Sequence, residues 1–192
     1  MGNYNVVYMS DGPLYTENEI KDIVHIIESS QFKIEEPKDK KAFISGNKKS
    51  IVSAVPWPEL KNQLRKFERF IFDSNKLIFK YDIVPFHDSH YLNLNYYDST
   101  NDSYDWHIDG TGYGSTYDLK LTCLLNLSTE KYKGGDLVLF NVEDKASKII
   151  KENFSQPGYA LIFTSTHFHK VKPITKGVRR TLSYWAKGPL WR

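Results

Sequence analysis

From Leu77 onward the chain runs as short apolar stretches separated by turn residues, with no helical period between them. That grammar restricts the fold more than any other feature, because short strands without crossover helices can close only as an antiparallel sandwich, jelly roll or barrel. The candidate strands are Leu77–Val84, His90–Tyr97, Trp106–Asp109, Leu119–Leu127, Leu137–Asn141, Tyr159–Ser165, Phe168–Ile174 and Arg179–Trp185. Turn signals lie at Gly110–Gly114, Gly134-Gly135, Pro157-Gly158 and Gly177. The prediction is a mainly β chain of jelly-roll type.

The first half carries two helical patterns, expected to pack outside the β core. One spans about Thr16 to Ser30. Thr16 and Glu19 stand at capping-box spacing, and Ile20, Ile23, Val24 and Ile27 follow on one face. The other spans about Pro58 to Asp73, with Leu60, Leu64, Phe67 and Ile71 as its apolar stripe and Pro58 suited to a first turn. Between them Ile51–Val55 is a candidate strand, and the rest of Phe32–Val55 reads as loop. A chain of 192 residues, 40% hydrophobic, can bury one core, so a single domain over 1–192 is expected. Its helical support covers about 14–75 and its β core about 77–187.

Charge and cysteine content exclude several partners. Twenty-six basic residues against 23 acidic ones leave a net charge of +3, too little for a nucleic-acid footprint. The lysines at Lys38–Lys41, Lys48 and Lys49 read as a solvated loop. Cys123 is the single cysteine, so no internal disulfide forms, which suits a reducing, cytoplasmic setting. No apolar run is long enough to span a bilayer, and the N-terminus lacks the pattern of a signal peptide. Neither a membrane nor a nucleic acid is an expected partner, and nothing in the sequence specifies an oligomeric state.

The sharpest local signal is Trp106-His107-Ile108-Asp109. Residues two apart in a strand share a face, so His107 and Asp109 can reach one metal from one segment. A lone His-x-Asp is a weak signal, and a third ligand must come from elsewhere. His167 and His169 compete for that place, and the Val171-Lys172-Pro173-Ile174 run favours His169. Two imidazoles and a carboxylate on one side of a metal leave the other side open, as in non-haem Fe(II) oxygenases. Arg179 follows after Gly177-Val178. A planar guanidinium suits the outer carboxylate of 2-oxoglutarate, and Thr181, two residues on, can add a hydroxyl donor.

These stretches resemble a known family. Tyr104 to Asp109, Asp118 to Thr122, Tyr132 to Val138, Pro157-Gly158 leading into Leu161-Ile162-Phe163, His169 to Arg179, and Trp185 are similar in order and spacing to the prolyl 4-hydroxylase-like branch of the 2-oxoglutarate/Fe(II) oxygenases. Within that branch the chain looks most like the PKHD-type hydroxylases, and it resembles the oxygen-sensing prolyl hydroxylases. The likeness is strong from about Tyr91 to Trp185.

The resemblance implies a double-stranded β-helix, with His107, Asp109 and His169 as iron ligands and Arg179 as the co-substrate anchor. It implies Fe(II), 2-oxoglutarate and O2 as reactants, with ascorbate as a candidate reductant and succinate and CO2 as co-products. Tyr97 matches a tyrosine that hydrogen-bonds the co-substrate, and Asn126 stands where the oxygen sensors place a second one. Ser183 matches a small polar position at the pocket floor. Lys120 matches a basic position near the substrate entrance, and Trp185 a tryptophan near the iron. Tyr104 is read two ways, as structural and as part of that entrance. The implied partner is a peptide or protein containing proline. A hydroxylase of a free amino acid or other small molecule, and a non-enzymatic jelly-roll module, are the alternatives. The loops expected to select the substrate, Asp98–Ser103 and Gly110–Tyr117, are polar and uninformative. His25, His87 and His90 receive no role, and Gly134-Gly135 reads as a tight turn rather than a phosphate loop.

Overall fold

A computed structural model describes residues 7–31, 33–36, 40–41, 47–98, 100–109, 116–141, 146–150 and 154–191. Its strands are β1 (Val7–Met9), β2 (Ile34–Glu36), β3 (Lys40–Lys41), β4 (Asn47–Lys49), β5 (Ile51–Pro56), β6 (Tyr91–Tyr97), β7 (Ser103–His107) and β8 (Tyr117–Asn126). They continue as β9 (Lys133–Gly134), β10 (Leu137–Asn141), β11 (Ala146–Ile150), β12 (Ala160–Thr164), β13 (His169–Val171), β14 (Ile174–Lys176) and β15 (Arg179–Pro189). The helices are α1 (Glu17–Ser29), α2 (Trp57–Leu60) and α3 (Arg65–Ser74).

One sheet runs in the order β1-β12-β8-β15-β6-β5-β2 and faces a second of order β11-β10-β13-β7-β4-β3, with β14 and β9 forming a small third pair. All of the pairings are antiparallel, and the two facing sheets make the expected jelly roll.

Period-2 alternation decides what each face of the larger sheet does. On β8, Leu121, Cys123 and Leu125 point toward the helices, while Thr122 and Leu124 point between the sheets. On β15, Leu182, Tyr184 and Ala186 join the helix-side core, while Arg179, Thr181, Ser183 and Trp185 face inward. The helix side is therefore greasy and the inner side mixed. That asymmetry makes room for a polar site inside a β core.

The helix-side core is closed by Ile20, Ile23 and Ile27 of α1 and by Phe67 and Ile71 of α3. The α1 cap is as its sequence predicts: the Glu19 N–H donates to Thr16 Oγ1, and the Thr16 N–H donates to Glu19 Oε2 at 2.9 Å. Phe67 is wholly buried, and its N–H donates to Tyr15 Oη at 2.9 Å. Phe67→Ala is expected to lower stability by about 3–5 kcal/mol, the range for emptying an aromatic core site. Urea melts check this; a change under about 1 kcal/mol would mean that the helix layer repacks freely.

Several elements differ from expectation. The predicted helix Pro58–Asp73 is broken, because Gln63 and Leu64 both bond Leu60 O in a turn between α2 and α3. No strand forms over Leu77–Val84. Residues Asn75–Phe79 make a π-helical turn ending at Lys80, whose φ is 57°. The Asn75 amide then donates to Tyr81 O at 2.8 Å and accepts the Tyr81 N–H at 3.1 Å, so a side chain meets the bonds that a neighbouring strand would have made. The predicted Phe168–Ile174 strand splits into β13 and β14 at Pro173, which has no N–H for a ladder. The Phe32–Val55 region, read as loop outside Ile51–Val55, holds β2, β3 and β4. Gly110–Gly114 and most of Gly110–Tyr117 lie outside the described residues. Among the described residues no helix is long and apolar enough to cross a membrane.

Candidate metal centre

Strands β7 and β13 are neighbours, with His107 directly opposite His169. Their imidazoles therefore stand side by side on the inner face, ring centroids 4.1 Å apart. The chain leaves β7 after His107, and the Asp109 N–H donates to Ser165 O at 3.0 Å, which turns the carboxylate back toward the rings. His107 Nε2 lies 3.7 Å from Asp109 Oδ1, and His169 Nε2 lies 3.6 Å from Asp109 Oδ2. One ligand atom from each of the three residues falls within 4.8 Å of the others.

The surroundings prepare these groups as ligands. Each Nδ1 sits 2.7 Å from a backbone carbonyl, Asp105 O for His107 and His167 O for His169. A carbonyl only accepts, so Nδ1 carries the proton and the Nε2 lone pair faces inward. Burial, and then the neighbouring His169, push the His107 pKa down to about 3 against the pull of Asp109, keeping the ring neutral. Thr122 Oγ1 donates to Asp109 Oδ2 at 2.6 Å and fixes the carboxylate from behind. Two imidazole nitrogens and a carboxylate, with protein on one side and a pocket on the other, fit an Fe(II) ion that keeps open positions.

The pocket continues to Arg179, which is only 2% exposed. Its guanidinium carbon lies 5.2 Å from the Tyr97 ring centre. Thr181 Oγ1 and Trp185 Nε1 also line the pocket, buried and without a hydrogen-bond partner. Buried polar atoms are seldom left so, and a polar ligand such as 2-oxoglutarate would satisfy them. Gly135 leaves the space that the Arg179 stem fills: a Cβ there would lie 2.8 Å from Arg179 Cδ and also strike Ile174 Cδ1, at a φ of +67°. Gly135→Ala is therefore expected to weaken 2-oxoglutarate binding, by about tenfold or more if the fork moves off its carboxylate, along with a loss of stability. Calorimetric titration checks it; unchanged affinity would mean that Arg179 does not make the contact.

The other predicted residues divide. Tyr97, Tyr104, Ser183 and Trp185 line the pocket. Burial raises the Tyr97 pKa, partly offset by Arg179, so it remains a phenol donor. Tyr104 stacks on His107 with centroids 3.4 Å apart. Asn126 is turned away: its amide donates to Phe154 O at 2.7 Å and its carbonyl accepts the Ser128 N–H at 2.8 Å. Lys120 lies under the C-terminal segment, its Nζ 3.4 Å from the centre of the Trp191 ring. His167 donates through Nε2 to Phe140 O at 2.8 Å and stands outside the ligand cluster. Lys48, Asn95 and Thr122 line the pocket without having been singled out. Thr122 shares the inner face of β8, which alternation alone could have indicated. Lys48 carried no such signal, being one lysine among several.

Residues 92–187 match the family described as the 2OG-Fe(II) oxygenase superfamily. A PKHD-type hydroxylase of Gloeothece citriformis is 31% identical over 88 residues, which make up 44% of this chain and 37% of that protein. A prolyl-4-hydroxylase of Pseudomonas putida superposes with a TM-score of 0.68 at 12% identity, covering 96% of this chain and 93% of that one. A prolyl hydroxylase of Trichoplax adhaerens, solved with a peptide fragment of the hypoxia-inducible factor oxygen degradation domain, gives 0.70 at 18% identity, covering 96% and 84%. The chain thus matches just over a third of the curated relative's length, and the structural likeness is one of fold.

Proposed function

Because the chain belongs to the 2OG-Fe(II) oxygenase superfamily, we propose that it is an Fe(II)- and 2-oxoglutarate-dependent dioxygenase that hydroxylates a C–H bond of a peptidyl proline. The observation that carries this is the convergence of His107, Asp109, His169 and Arg179 on one pocket. A jelly-roll module serving only as scaffold has no use for three inward metal donors beside a buried arginine.

His107, Asp109 and His169 would hold Fe(II) from one side, leaving the pocket side for the keto-acid end of 2-oxoglutarate. Arg179 takes the distal carboxylate through its planar fork, with Tyr97 and Thr181 as hydroxyl donors beside it. Bound Fe(II), with 2-oxoglutarate and O2, supplies the oxidising power for C–H hydroxylation, releasing succinate and CO2. The chain's contribution is geometric: Thr122 and the two backbone carbonyls orient the ligands, and Leu124, Leu137 and Val171 keep that part of the pocket dry. Tyr104 and Trp185, both half-buried, flank the way in for the proline ring. The relative that was solved with a peptide supports a peptide partner. A reducing cytoplasm suits the free, buried Cys123.

The test is succinate formation from 2-oxoglutarate by anaerobically Fe(II)-loaded protein exposed to air, with and without proline-containing peptides. Turnover that rises with a peptide, and a product carrying one added oxygen, is the expected result. Turnover that rises only with a free amino acid would reassign the substrate. Absence of Fe(II)-dependent turnover, together with absence of Fe(II) and 2-oxoglutarate binding, would leave the scaffold reading.

A further inference from the structure

We propose that Ser165 is a positioning residue for the metal ligand Asp109: its hydroxyl donates to Thr122, which commits the single Thr122 hydrogen to the carboxylate. This rests on the oxygenase reading above and adds to it a chain of two hydroxyls that aims one ligand.

Asp109 needs outside support more than the two histidines do. His107 and His169 face each other on paired strands, and each ring is tied through Nδ1 to the carbonyl two residues back in the chain. Asp109 stands beyond the end of β7, outside any ladder. Among the described residues two hydrogen bonds hold it: its N–H donates to Ser165 O at 3.0 Å, and its Oδ2 accepts from Thr122 Oγ1 at 2.6 Å. Both lead to Ser165. That residue lies in the turn between β12, of the larger sheet, and β13, of the smaller one. Its N–H donates to Lys120 O at 3.0 Å, two residues before Thr122 on β8, and its Oγ lies 3.1 Å from Thr122 Oγ1. The turn therefore links the strand that carries Thr122 to the residue that carries the carboxylate.

Hydrogen counting fixes the direction of the chain. The Thr122 hydroxyl has one hydrogen and two acceptors in reach, Asp109 Oδ2 at 2.6 Å and Ser165 Oγ at 3.1 Å. An ionised carboxylate only accepts, so the shorter contact has to contain the hydrogen, and a bond to a charged acceptor is also the stronger of the two. The contact between the hydroxyls is then a bond only with Ser165 as donor. Donation into Thr122 polarises its O–H toward Asp109 and removes the alternative in which Thr122 turns its hydrogen to Ser165. Ser165 and Thr122 are both buried, so solvent does not compete for either hydroxyl. The order is Ser165 Oγ–H to Thr122 Oγ1, then Thr122 Oγ1–H to Asp109 Oδ2. Ser165 thus holds the ligand residue by its backbone directly and by its side chain through Thr122.

The experiment is a double-mutant cycle read by Mn(II) binding to the full chain, followed as loss of the free-ion signal in the electron paramagnetic resonance spectrum, so that no turnover is needed. Ser165→Ala removes the hydroxyl and keeps both backbone bonds of the residue. Alone it should weaken Mn(II) by about threefold to tenfold, the worth of one neutral hydrogen bond. In a Thr122→Val background the same replacement should change Mn(II) affinity by no more than about twofold, because the hydroxyl then has no route to Asp109. This coupling separates positioning from packing: a serine that only fills space would cost the same in both backgrounds. Circular dichroism establishes that all four proteins are folded. Wild-type affinity in Ser165→Ala overturns the proposal, and so does a loss that is equally large with and without Thr122. Wild type that takes up neither Mn(II) nor Fe(II) strikes the oxygenase reading itself, whereas metal binding with additive losses overturns the Ser165 chain alone.

Discussion

Replacing Asp109 with alanine is expected to lower Fe(II) affinity by at least about 100-fold and to remove substrate-coupled succinate formation. The magnitude follows from position. Loss of an outer partner of a metal ligand typically lowers affinity by about 10- to 100-fold, and Asp109 is itself the proposed ligand, with the only carboxylate in the described pocket lining. Alanine leaves two imidazoles, and no carboxylate among the described lining residues offsets the metal's charge. The contrast with Thr122→Val sharpens the test. Thr122 touches the metal site only through its 2.6 Å bond to Asp109 Oδ2, so valine should weaken iron within that 10- to 100-fold range and leave measurable turnover. The expected order is wild type, Thr122→Val, Asp109→Ala. Anaerobic Fe(II) titration reads it directly, and circular dichroism establishes that each variant is folded. An Asp109→Ala protein that keeps wild-type iron affinity would move the metal elsewhere.

Asp109 and its partners show how far sequence reading reaches. Alternation made the inner faces of β6, β8 and β15 legible, because with the helices covering the other face every second residue has to look into the pocket. His107, the later histidine and the arginine were legible for the same reason, each falling on an inward position of a strand, whereas Asp109 lies past the end of β7 and is brought to the site by its N–H bond to Ser165 O. Where periodicity was absent, so was the signal. β3 and β4 are Lys- and Asn-rich, and the pairing of β3 to β4 and of β4 to β7 is made by backbone bonds that no side-chain pattern announces, so Lys48 read as a solvated loop. Leu77–Val84 failed in the opposite way. A short apolar run does not separate strand from helix, and the deciding feature was the Asn75 amide clasping Tyr81. Asn126 was placed by resemblance on a correctly inward position, yet its short amide is taken up by Phe154 O and the Ser128 N–H, where a longer tyrosine would reach past them. Backbone hydrogen bonds capture short polar side chains, and sequence position alone does not reveal this.

Arg179→Met should raise the 2-oxoglutarate requirement by roughly 30-fold to several thousand-fold, because truncating one partner of a buried, hydrogen-bonded charge pair costs about 2–5 kcal/mol. Two features place the effect toward the upper part of that range. Arg179 is 2% exposed, so water is poorly placed to replace it, and its stem is seated where Gly135 offers no side chain. Methionine keeps much of the apolar volume, and the loss then reports the fork rather than a cavity. Arg179→Lys should recover only part of the affinity, since an ammonium cannot meet both oxygens of a carboxylate in parallel. The decisive control is 2-oxobutyrate, which keeps the keto-acid end and lacks the distal carboxylate. Its weak binding to the Mn(II)-loaded protein should be nearly the same in wild type and Arg179→Met. If both acids lose affinity equally, Arg179 acts by holding the pocket's shape. If neither does, the distal carboxylate is held by another group, and Lys48, the other lining cation, becomes the one to test.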